Sequence, residues 1–219
     1  KRRKTNQFQF YNEVVNEFSQ FTKIDPWLIN PYFEKISNLD FHKHKGEEEL
    51  SNKIDLLLKK IQKKYDQYHI KHKPYVVIKA DAGTYGMGIM IAKKPDEVLR
   101  LNRKKRNKMS TIKDGVKVRE VIIQEGIHTE ENIDGAVTEP VIYMIDHFVI
   151  GGFYRVHTLK EKDENLNAPG MHFIPQPFET SCLMPDQGRP CDDEANRFYA
   201  YGVIARLALI AAARELEVE

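Results

Sequence analysis

The sequence predicts an α+β fold: mixed or antiparallel sheets with flanking helices, and a helical segment at the N-terminal end. Three observations carry this. Apolar residues recur with a helical period up to about residue 70, short β-branched runs take over from residue 74, and a helical pattern returns from about Glu194. The division expected is a helical segment over 1–73 and a second region over 74–219.

Phe8, Tyr11, Val14, Val15, Phe18 and Phe21 fall on one helical face. Asp25-Pro26 reads as the cap and first position of a second short helix. A third helix is expected from Glu47 to about Tyr68, burying Leu50, Ile54, Leu57, Leu58 and Ile61. His42 and His44 lie in the connection before it, without partners at metal-ligand spacing, and read as a solvated loop. Residues 1–70 are otherwise read as helical. Tyr75–Ala80 and Ile89–Ala92 read as strands, and Pro95-Asp96-Glu97 opens a helix to about Met109. Val118–Gln124, Val137–Ile145 and Phe148–Val156 are strands, the last two joined near Asp146-His147. A Pro-rich loop is expected from 169 to 190. Asp192-Asp193 would cap a helix from about Glu194 to Leu216, so apolar over Val203–Ala213 that burial is expected.

With 41% apolar and 30% charged residues, the 219-residue chain reads as a soluble globular protein with a sizeable core. Its 34 basic and 32 acidic side chains leave a net charge of +2, which is no global nucleic-acid or membrane footprint. No apolar run approaches the ~20 residues of a membrane span. Cys182 and Cys191 make no disulfide framework or CxxC motif, and a cytoplasmic setting fits. The chain opens Lys1-Arg2-Arg3-Lys4 without methionine and is expected to be a piece of a longer polypeptide.

The richest stretch for function is Val76 to Met90. Lys79 ends an apolar strand, Gly83-Thr84-Tyr85-Gly86-Met87-Gly88 follows, and a second strand begins. Glycines let backbone N–H groups approach an anion, and the lysine offers a point charge to a phosphate oxygen. The lysine precedes the glycines, so this is not a P-loop, and the glycine order does not fit a dinucleotide fingerprint. A plain hairpin turn is the alternative. Gln124-Glu125-Gly126-Ile127 follows a buried strand and could present backbone groups to an adenine edge, or be an ordinary strand end. Arg155 could clamp a phosphate or carboxylate, or form a salt bridge. Asp163-Glu164-Asn165-Leu166-Asn167 offers hard oxygen donors suited to Mg²⁺, or is a solvated turn. The basic run Arg100, Arg103, Lys104, Lys105, Arg106 and Lys108 lacks interleaved aromatics, which leaves nucleic acid the weaker reading.

This sequence of parts resembles the ATP-grasp ligases, which hold ATP between two subdomains. Asn165-Leu166-Asn167-Ala168-Pro169-Gly170 looks like the asparagine loop of glutathione-synthetase-like members. Longer phrases resemble the proteobacterial family of glutamate–cysteine ligases: Ile24 to Pro31, Lys79 to Met90, Glu139 to Asp146, Gly151 to His157 and Asp163 to His172. The resemblance implies ATP-dependent joining of the glutamate γ-carboxylate to the cysteine amine through an acyl-phosphate, the first step of glutathione synthesis. It implies ATP, Mg²⁺, glutamate and cysteine as the small molecules bound. Lys79 and the Gly83–Gly88 loop would face phosphates, and Gln124, Glu125, Gly126 and Ile127 adenine. Arg155, Lys79 and Asn167 would be catalytic. Arg155, His157, Asn165 and Asn167 would hold substrate, and Glu164 and Asn167 the metal. Family members carry a further N-terminal region, expected here as a partner from the same polypeptide. A homo-oligomer stays open, as do another ATP-grasp carboxylate–amine ligase and a non-catalytic nucleotide- or RNA-binding module.

Overall fold

The computed structural model describes residues 2–82, 88–111, 115, 117–176 and 196–218. The chain falls into two compact units, residues 1–9 with 24–127, and residues 10–23 with 128–219. Helix α1 (Lys4–Thr22) contributes its start to the first and its remainder to the second.

In the first unit, strands β1 (Phe33–Ile36), β2 (Val76–Ala80), β3 (Ile89–Ala92) and β4 (Val121–Glu125) form an antiparallel sheet in the order β1-β4-β2-β3. The period-2 alternation sends Val76, Ile78, Ala80, Val121 and Ile123 into one core with Leu50, Ile54, Leu57 and Ile61 of helix α2 (Glu47–Gln67). Tyr65 is buried on that stripe, while Leu58 is only partly covered. Asp25 caps a 3-10 turn over Pro26–Leu28, accepting from the Trp27 N–H at 3.0 Å. β1 lies inside the stretch read as helical. The helix expected from Pro95 to Met109 is two pieces, a 3-10 turn over Pro95–Val98 and helix α3 (Arg103–Ser110). Asn102 starts α3 afresh by capping the Lys105 N–H.

In the second unit, β5 (Asn132–Ile133), β6 (Ala136–Ile145), β7 (Phe148–His157) and β8 (His172–Gln176) form an antiparallel meander in that order. β8 corrects the expectation of loop from 169 onward. As an edge strand it tolerates Pro175, whose missing N–H breaks no inner ladder. Helix α4 (Arg197–Val218) buries Phe198, Gly202, Leu207, Ala211 and Glu215, but Ile204, Leu209 and Ile210 are exposed. The burial expected over Val203–Ala213 is therefore partial. Phe21, read as part of an apolar helix face, is 89% exposed. Arg214 forks onto Glu17 with two 2.7 Å bonds and fastens α4 to α1. The expected cap at Asp192-Asp193, both cysteines and Gly83 to Met87 lie outside the described residues.

Candidate functional site

Lys79 is the last but one residue of β2, and its amine donates to the Gln124 side-chain oxygen at 3.0 Å. The register explains the meeting: Lys79 faces Ile122 of β4, and Gln124 is two residues along on the same face. The glycine-rich stretch from Gly83 follows β2 after Asp81 and Ala82, and the Ala80 N–H donates to Gly88 O at 3.1 Å. Gly88 has φ +63, the left-handed region that suits glycine. Of the six residues assigned to the turn, Gly88 alone is described.

The Gln124–Ile127 stretch is bound into its own unit. The Glu125 carboxylate, 1% exposed, accepts from Trp27 Nε1 at 3.0 Å and from the Tyr32 N–H at 2.9 Å. Burial pushes its carboxyl above the ordinary range, against those two bonds. The Gly126 N–H donates to Tyr75 O at 2.8 Å, and the Tyr75 hydroxyl donates to Ile127 O at 2.7 Å. Backbone groups assigned to an adenine edge are thus engaged by Tyr75, while the Ile127 side chain is exposed.

Sequence reasoning missed Asp81. It is fully buried at the foot of the glycine turn and caps α1: Thr5 N–H and Oγ1 donate to its two oxygens at 2.8 and 2.9 Å. Arg3 and Lys35 stand 3.5 and 3.8 Å away and also pair with Glu120. The Lys4 amine holds Ala80 O at 2.6 Å. The local signal was an acid between a strand end and a glycine; its partners lie far along the chain.

In the second unit Arg155 of β7 stands opposite Glu139 of β6 and donates to it at 2.9 Å. Its Nε is buried without a hydrogen-bond partner among the described residues. Phe153 and Phe173 share this face, their rings edge-on at 4.9 Å. His157 is 2% exposed. Its Nε2 meets Pro169 O at 3.1 Å and its Nδ1 accepts the Leu159 N–H at 3.2 Å, an arrangement that needs the proton on Nε2. His157 therefore fastens the loop that carries Asn165 and Asn167. Asn165 Oδ1 accepts the Asn167 N–H at 3.1 Å, a local turn that leaves Asn167 exposed.

Glu164 accepts from Lys160 at 2.8 Å and from the Glu161 N–H at 2.9 Å, and the Lys160 bond holds its carboxyl below the ordinary range. Among the described residues no group of three or more His, Cys, Asp or Glu is placed to hold a metal ion. With Glu164 committed to Lys160, Glu164 and Asn167 do not fit a Mg²⁺ site in this arrangement. On the basic helix α3, Arg106 donates to Phe41 O at 3.1 Å and pairs with buried Glu47, so it is a strut of the unit. No helix among the described residues is long and apolar enough to cross a membrane.

Lys79, Gly88 and Gln124–Ile127 thus belong to the first unit; Arg155, His157, Glu164, Asn165 and Asn167 belong to the second. The family model described as glutamate-cysteine ligase (GshA) matches residues 1–216. Among solved structures, the chain is 61% identical to a protein from Methylobacillus flagellatus KT described as a "putative gamma-glutamylcysteine synthetase", with a TM-score of 0.87. That match covers 99% of this chain and 51% of the other, so the chain spans about half the length of its solved relative. No curated protein matches it.

Proposed function

The chain belongs to the glutamate-cysteine ligase family, and from that premise we propose that it serves the ATP-dependent formation of γ-glutamylcysteine on an ATP-grasp-like fold. A glutamate γ-carboxylate oxygen attacks the γ-phosphorus of ATP and ADP leaves. The cysteine amine then attacks the acyl carbon, loses a proton and expels phosphate. The observation that carries this reading is the family match over residues 1–216, which includes both residue sets described above.

Chemistry of this kind asks a protein for positioning and charge neutralisation. Lys79 supplies a cation at the foot of the glycine turn, and Gln124 holds that amine in place until a phosphate oxygen replaces it. The exposed Ile127 side chain offers an apolar surface to the adenine, while Glu125 and Gly126 keep the strand end rigid through Trp27, Tyr32 and Tyr75. Arg155 stabilises the acyl-phosphate oxygens, and Asn165 and Asn167 orient the amino-acid substrates from a loop that His157 fixes. Among the described residues, Glu164 and Asn167 do not fit a Mg²⁺ site in this arrangement.

The test is ADP release by the full-length protein with glutamate and cysteine, each alone and together. Full turnover only with both amino acids is the expected result. Release that needs neither, or no release at all, counts against the ligase.

A further inference from the structure

A cavity of about 140 Å³ opens in the first unit, between the turn that follows β1 and the segment that leads into β4. Lys79 and Gln124 do not line it. Its volume is roughly ten times the 10–15 Å³ that admits one water, which leaves room for a ligand of several heavy atoms. Leu39, Phe41 and Val118 are buried and give it an apolar floor. Lys43, Lys117 and Arg119 line it from the exposed side. The walls are fixed by the backbone. The Leu39 N–H donates to Arg119 O at 3.0 Å and the Val118 N–H to Ser110 O at 2.9 Å. Thr111 pairs with Lys117, and Asp40 with Lys45, as antiparallel bridges.

The lining carries three permanent cations against one carboxylate, Asp40. That carboxylate is engaged in its own turn, where Asp40 Oδ1 accepts the His42 and Lys43 N–H groups, each at 3.1 Å. The Lys43 N–H, then the His42 N–H and the Arg119 charge, hold its carboxyl below the ordinary range. The neighbouring acids are taken as well. Glu47 pairs with Arg106 and His44, and Glu120 with Arg3, Lys35 and the Ser37 hydroxyl. No ion-pair contact joins Lys43, Lys117 or Arg119 to a carboxylate among the described residues. The negative end of α3, which reaches the cavity at Ser110, is answered by the protein itself: Ser110 Oγ donates to Arg106 O at 2.6 Å, and Val118 covers Ser110 O. Cations gathered around an apolar floor repel one another, and an anion that bridges them relieves the repulsion.

We propose that this cavity binds a small molecule through an oxyanion, a phosphate or carboxylate group. Arg119 takes two of its oxygens with the planar guanidinium fork, and Lys43 and Lys117 close on it as point charges. The site goes beyond the ligase reading and does not depend on it.

The full-length protein would be titrated at constant ionic strength with inorganic phosphate, followed by phosphorus NMR, and with citrate, followed by proton NMR. Arg119→Gln and Lys117→Gln are each expected to weaken binding of the anion by about tenfold. Both side chains are exposed and their backbone bonds persist, so the variants should fold, which melting curves check. Two controls should bind as wild type does: Lys79→Met removes the cation assigned to ATP, and Lys104→Gln removes a cation of α3 outside the cavity. Binding of either probe through Arg119 and Lys117 supports the site, and the tighter probe identifies the oxyanion it prefers. Wild type that binds neither probe overturns the proposal. Binding lost in Lys79→Met but kept in Arg119→Gln and Lys117→Gln overturns it too, by placing the anion elsewhere. Equal losses in Lys104→Gln and Arg119→Gln would reveal a diffuse cationic surface and retire the cavity as a site.

Discussion

Asp81 and Glu125 are the two fully buried carboxylates that frame the glycine turn's strands, and each makes its own prediction. Asp81 accepts two bonds from Thr5 and faces Arg3 and Lys35. Asp81→Asn keeps the shape but turns one acceptor into a donor facing a donor, which should cost about 2 kcal/mol, read from urea unfolding at neutral pH. An unchanged midpoint would show that the charge is idle. For Glu125, burial raises the folded-state pKa, so the folded chain binds this proton more tightly than the unfolded chain. Its contribution to stability is therefore fully present below the ordinary glutamate pKa of about 4.3 and is lost as pH rises through the raised value. Glu125→Gln removes the titration, and its stability should fall less than wild type's across that interval. Parallel curves for the two proteins would take Glu125 out of the pH response. Lys79 stood out as a candidate because a lysine beside glycines is a local signal. Asp81 was not, since its meaning depends on Thr5, 76 residues earlier.

At the scale of elements, what sequence missed were edge strands. β1, β5 and β8 each pair on one side only, so they need no continuous apolar run, and β8 can carry a proline. The inner strands β2, β4, β6 and β7 were legible, because burial and pairing on both sides demand β-branched residues in alternation. α4 misled for the opposite reason: a helix apolar all round reads as buried, yet against one sheet only one stripe is covered. The stretch just after β4 yields a sharper test. A Cβ on Gly126 would stand 2.1 to 2.4 Å from three ring carbons of Tyr75, whose hydroxyl is itself bonded to Ile127 O. Gly126→Ala should therefore destabilise the first unit by about 1–3 kcal/mol, and Tyr75→Phe by about 1 kcal/mol. Chemical denaturation measures both. A neutral Gly126→Ala would mean that the Tyr75 ring moves without cost.

At the scale of the molecule, the two residue sets should report on different parts of one reaction. Under the proposed ligase reading, Lys79 offers its charge to ATP in both of its states, ground and reacting. Its loss should appear mainly as weaker ATP binding. Under the same reading Arg155 meets charge that develops on the acyl-phosphate, so its loss should appear mainly in turnover. In the full-length protein, Lys79→Met is expected to raise the KM for ATP by about tenfold or more, with folding intact. Arg155→Lys keeps the charge but loses the fork, and should lower kcat by about a hundredfold with a smaller change in KM for ATP. Glu139→Gln is the control. It weakens the partner that Arg155 holds in this structure at 2.9 Å without touching the cation. If the Arg155–Glu139 pair were only a strut, Glu139→Gln and Arg155→Lys would cost similar stability and neither would change kcat. If Arg155 stabilises the intermediate, Arg155→Lys alone collapses turnover. Steady-state ADP release at saturating glutamate and cysteine separates these outcomes, and an Arg155→Lys enzyme with wild-type kcat would remove Arg155 from the chemistry.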